Sequence, residues 1–86
     1  MNRQKLLETA AKIVKGDRQK NYGTPEDNFG RIADLWGTFL NKNITASDVA
    51  AMMILMKVAR IMHDPSHMDS WVDIAGYAAC GGEING

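Results

Sequence analysis

Cysteine is nearly missing from this chain: Cys80 is the only one among 86 residues. One thiol cannot close an internal disulfide framework, which points to a reducing compartment. Long apolar runs are missing as well. The longest, Val49 to Met56, is eight residues, against the roughly 20 that cross a bilayer as a helix. Met1 to Arg3 leads into a mixed polar segment, where a secretory signal would turn apolar. These absences predict a cytoplasmic protein that does not partner a membrane. No stretch alternates apolar and polar residues with period two, so no strand is expected. No P-loop, dinucleotide fingerprint or nucleophile elbow occurs, and Cys80 has no histidine near it in sequence.

Net charge is absent too, at zero, which argues against general nucleic-acid binding. The charge is nevertheless uneven. Residues 1–20 carry six cations against two acids, a net of +4, and the other 66 carry four against eight, a net of −4. The basic end suits either a solvated helix face, contact with the acidic part, or phosphates.

What is present is helix signal. A hydrophobic share of 45% with 23% charged residues suits one small folded domain over residues 1–86. Leu6, Leu7, Ala10, Ile13 and Val14 recur at three and four, giving a helix from Asn2 to about Lys15 that Gly16 stops. Asp17 to Gly23 is polar and reads as an irregular segment closed by a Tyr-Gly turn. Thr24-Pro25-Glu26-Asp27 opens a second helix with a cap, a proline at the first helical position and early acids. Asn41-Lys42-Asn43 closes it. Thr45 with Asp48 starts a third helix, to about Met62, whose run Val49–Met56 is apolar on every side and reads as the central, surrounded element. Ser66 with Asp69 starts the last, to about Cys80, where Gly81-Gly82 breaks it. The expected fold is all-α, a bundle of about four helices joined by short turns. A core this small favours a homo-oligomer, and six methionines, four of them between Met52 and Met62, suit helix packing or a subunit interface.

The chemistry concentrates between Lys57 and Tyr77. Lys57 and Arg60 lie three apart on one helix, and Asp69 and Asp73 lie four apart on the next, so each pair shares a face. Antiparallel packing about a turn near Pro65 sets Lys57 opposite Asp73 and Arg60 opposite Asp69. Such a cluster is either a structural ion-pair network or a site that clamps phosphate with the cations and holds Mg²⁺ with the acids. If the network is buried, Asp73→Ala should cost about 3–5 kcal/mol. Asp48 or Glu83 could supply a further oxygen. His63 and His67 flank Pro65 and so lack the one-face geometry of a zinc pair. Arg18 and Tyr22, with Asn28, bracket the irregular segment and suit phosphate contact and base stacking, or simply cover the end of the bundle. Trp36 and Trp71 read as core.

Arg18-x-x-x-Tyr22-Gly23, Lys57-x-x-Arg60 and Asp69-Ser-x-x-Asp73-x-x-Gly76-Tyr77 together resemble a group of short phage and prophage proteins. That group is itself similar to the MazG-like all-α nucleotide pyrophosphohydrolases, and the resemblance covers nearly the whole chain. It implies a helical, oligomeric, Mg²⁺-dependent protein that binds nucleoside triphosphates or cleaves them to monophosphate and pyrophosphate. By that resemblance Asp73 stands at the final metal-binding Asp, while Lys57 and Arg60 contact phosphate. Those enzymes carry Glu-Glu-x-x-Glu on one helix and Glu-x-x-Asp on the next, whereas this chain has only Asp48 on the first and acids spaced by four on the second. The alternative is a non-enzymatic helical interaction protein in which the same charges are structural.

Overall fold

The computed structural model describes residues 1–86, the side chains of residues 17–19 excepted. It contains five helices: α1 (Arg3–Lys15), α2 (Asp17–Tyr22), α3 (Pro25–Leu40), α4 (Ala46–His63) and α5 (Met68–Asn85). No strand occurs among the described residues, and no helix is long and apolar enough to cross a membrane. Four of these are the expected helices. The fifth, α2, occupies the polar segment read as irregular, and Gly23 ends it at φ +84°, a left-handed backbone that glycine adopts without cost.

The helix starts follow local chemistry. Asn2 Oδ1 accepts from the Lys5 N–H at 2.8 Å, and Thr24 Oγ1 accepts from the Asp27 N–H at 3.2 Å. Thr45 and Asp48 form a full capping box, each side chain accepting from the other's backbone N–H, at 3.1 and 2.9 Å. Each such cap is worth about 1 kcal/mol. Asn41 closes α3 in the left-handed region at φ 55°.

Two boundaries differ from expectation. Ser66 does not cap α5, because Asp64 takes it: Asp64 Oδ1 accepts from the Ser66 N–H at 3.1 Å and its hydroxyl at 2.6 Å. His67 stands at the N-cap position instead. Gly81-Gly82 does not break α5, which runs on to Asn85. A Cβ on Gly81 would lie 3.2 Å from the Ala50 Cβ, so this glycine admits a close approach of α4 to α5.

The central element also differs. It is α5 that packs against α4, α1 and α3, with Ser70, Val72, Gly76 and Cys80 buried. Its small residues let three neighbours come near. On α4, only Val49 and Ala50 of the apolar run are buried, while Leu55 is 64% and Met56 53% exposed. The core comprises Phe29, Ala33, Val49, Ala50 and Cys80, flanked by Trp36, Tyr77 and others. Trp71, expected inside, is partly exposed, and its indole N–H donates to the Pro65 carbonyl at 2.8 Å. The body is flattened, 40 × 29 × 22 Å, with a radius of gyration of 13.4 Å against about 12 Å for a compact chain of this length.

Candidate functional site

The antiparallel α4–α5 register brings Lys57 and Asp73 together, as counting from the turn predicts. Lys57 Nζ lies 3.0 Å from Asp73 Oδ2, with the side chains 21% and 33% exposed. Gly81 beside Ala50, and Asn85 donating to Ser47 Oγ at 3.0 Å, continue the same register. The pair is therefore partly wet, and not the buried network that the α4 sequence suggested.

Arg60 and Asp69 do not complete it. The Arg60 guanidinium lies 3.3 Å from His67 Nε2, and Asp69 is exposed in the first turn of α5, where a carboxylate favours the helix dipole. A guanidinium can only donate, so a hydrogen bond here takes Nε2 of a neutral His67 as acceptor and assigns the ring proton to Nδ1. Nδ1 lies 2.7 Å from Ser70 Oγ and in that tautomer donates to it. A catalytic Ser–His pair needs the opposite polarity, with the imidazole accepting from the hydroxyl, and Ser70 is fully buried. The chain His67–Ser70 thus anchors the start of α5. Sequence reading missed it, although His67-x-x-Ser70 at a helix start was its signal. His63, at the end of α4, is exposed.

At the same turn the Asp64 carboxyl is held below its ordinary value of 3.8, first by the Ser66 hydroxyl and then by the Ser66 backbone N–H. Both donate to the charged form and so favour it.

Asp73 also lines a recess between α1 and α5, with Ile13, Val14, Gly76, Tyr77 and Cys80, of about 40 Å³. Val14 and Cys80 are shared with a wider cavity of about 290 Å³ that adds Lys15 and Glu83. Glu83 and Pro25 in turn border one of about 280 Å³ that adds Thr24 and Glu26. Together they make a groove along α5 with Asp73 at one end and Glu26 and Glu83 at the other. Gly76 keeps the Asp73 end narrow, its missing Cβ falling 3.3 Å from Val14 Cγ1.

Among the described residues, no three histidines, cysteines or carboxylates gather closely enough to share a metal. Asp48 is engaged in its capping box. Tyr22 is 55% exposed at the end of α2, and the Arg18 side chain lies outside the described residues.

Residues 5–85 match the family model of a domain of unknown function, DUF6378. The chain belongs to the DUF6378 family. Among its relatives is the Gene 55 protein of Mycobacterium phage D29, 49% identical over 75 residues, which are 87% of this chain and 50% of that protein. The Gene 55 protein of Mycobacterium phage L5 is 49% identical over 74 residues, 85% of this chain and 47% of that protein. The chain spans about half the length of these curated relatives. No solved structure matches it. The DUF6378 match takes in the ion pair and the whole groove.

Proposed function

We propose that this DUF6378 chain binds a nucleoside phosphate together with Mg²⁺, as its MazG-like resemblance implies, with Lys57 and Asp73 at the phosphate end of the α5 groove. The observation that carries this reading is the partly exposed Lys57–Asp73 pair, whose Asp73 lines the recess between α1 and α5 while Lys57 stands outside that lining. A closed, neutral ion pair in a cleft holds one group for an anion and one for a cation. Phosphate oxygens compete for the ammonium, and that competition frees the carboxylate.

The donor set fits Mg²⁺ in one form only. Magnesium is commonly held by one or two carboxylates plus substrate phosphates and water, not by an all-protein cage. Asp73, with Asp69 one turn away on the same helix, suits an ion that arrives with the nucleotide. When bound, it supplies neutralisation of phosphate charge. Arg60, exposed beside His67, and the Arg18–Tyr22 segment are the further contacts this reading assigns. We propose binding and not turnover, because hydrolysis of this class draws on a richer carboxylate cluster.

A specific observation favours a second reading, a non-enzymatic helical interaction protein. The Lys57–Asp73 pair is already satisfied, and a broad apolar face lies elsewhere on the molecule.

Thermal melting separates the two. Across a panel of nucleoside mono-, di- and triphosphates, the first reading expects a shift with Mg²⁺ and nucleotide together, and none with Mg²⁺ alone. At a hundred times the dissociation constant the gain is about 2.7 kcal/mol. Asp73→Ala should fold, lose about 1 kcal/mol as befits a partly exposed pair, and lose the shift. A flat panel, or a folded Asp73→Ala protein that binds as before, sinks the nucleotide reading.

A further inference from the structure

We infer that the α5 groove selects guanine among the nucleobases, with Glu83 reading the base and Lys15 holding the phosphate nearest to it. This deepens the nucleotide reading and rests on it, since that reading names no base and gives Lys15 no part. Lys15 and Glu83 border the same cavity of about 290 Å³. Both residues are exposed, and among the described residues neither closes an ion pair. Lys57 and Asp73 do the opposite, closing at 3.0 Å. Opposite charges that share a cavity and stand apart leave room between them. That room suits a molecule with an anionic group on one side and hydrogen-bond donors on the other.

The walls and the length fit a nucleotide. Val14, Pro25 and Ala79 give the cavity apolar surface, and beyond Glu83 the space continues for about 280 Å³ beside Thr24 and Ile84. Together these spaces fall in the roughly 300–1,000 Å³ range of small-molecule sites, which are mostly apolar with a few fixed polar groups. Glu83 follows Asp73 by ten residues on α5, about 15 Å at the rise of a helix. A nucleoside triphosphate laid along α5 covers that span, with its base at Glu83 and its terminal phosphate toward Asp73. Lys15 then stands beside the phosphate next to the ribose.

The choice of base follows from hydrogen-bond polarity. An ionised carboxylate can only accept. Guanine presents two adjacent donors on one edge, N1–H and the exocyclic amine, which meet both carboxylate oxygens at once. Adenine and cytosine set one amine beside a bare ring nitrogen, and uracil sets one N–H between two carbonyls. Each of these turns a lone pair toward Glu83, and a buried mismatch of that kind is what rejects a wrong substrate.

Isothermal titration of the full chain with GTP, ATP, CTP and UTP, each with Mg²⁺, tests this. GTP should bind roughly tenfold or more tightly than the other three, the discrimination that one bidentate pair gives. Glu83→Gln should abolish the preference and leave the affinity for ATP in place, while Lys15→Ala should weaken all four alike. Both positions are exposed, and helical circular dichroism checks that the variants fold. Equal affinities for the four nucleotides overturn the base assignment and leave the nucleotide reading standing. So does a GTP preference that survives in folded Glu83→Gln. A Lys15→Ala protein that binds as before overturns the role of Lys15, and no binding of any nucleotide overturns both readings.

Discussion

Asp64 shows how one side chain can redirect a turn. Its carboxylate holds Ser66 by hydroxyl and backbone N–H, which takes the obvious cap away from α5 and lowers the acid's own pKa below 3.8. The sign of the pH effect follows. A carboxyl with a depressed folded value contributes stability above its unfolded value, and that contribution is lost as pH falls through the folded one. Asp64→Asn keeps an acceptor oxygen but removes the charge. Its melting temperature should therefore fall less steeply than the wild type's as pH drops below 3.8. Identical slopes would show that the turn does not sense pH. Residue identities at 57 and 73 were legible because register follows from counting across a short turn. The fate of Arg60 was not, because it depends on His67 swinging its ring into the place assigned to Asp69.

Among the elements, helix starts were readable and helix ends less so. A cap at Thr24 or Thr45 is a contact three residues away, wholly contained in the local sequence. A glycine carries two meanings that look alike in sequence, a stop or a close approach, and only the neighbour decides. Gly16 is a stop, whereas Gly81 is an approach to Ala50. Gly37 belongs to the second kind: a Cβ there would sit 2.8 Å from the Lys42 carbonyl oxygen. Alanine normally gains up to about 1 kcal/mol over glycine inside a helix. Here the obstacle is backbone, so Gly37→Ala should instead lower stability by about 1–3 kcal/mol. Chemical denaturation measures it, and a stabilised variant would show that the α3–α4 turn yields easily. The misplacement of α4 at the centre has a related cause. Apolar density alone does not decide which helix is surrounded, and α5 reaches the centre through smallness and not hydrophobicity.

For the molecule as a whole, the helical architecture was legible and the groove was not. Its walls come from α1, α3 and α5, brought together by packing that no periodicity encodes. The core is thin, with Phe29 its largest fully buried side chain. Phe29→Ala should cost about 3–5 kcal/mol, most of what a domain of this size possesses. Loss of the cooperative melt in that variant is the expected result, and a melt little changed would mean that Trp36 and Tyr77 collapse into the space.

The central place of α5 also bears on biosynthesis. Translation delivers α1, α3 and α4 before the helix that joins them, and α1 packs otherwise only on the short α2. Until α5 emerges, Val14 lacks Gly76 and Ala50 lacks Gly81, so the nascent chain has α3 resting on α4 but nothing to tie α1 to that pair except the short α2. A chain halted at His63 should be digested readily by protease and show no cooperative unfolding. Folding would then be one late event, triggered when α5 (Met68–Asn85) appears.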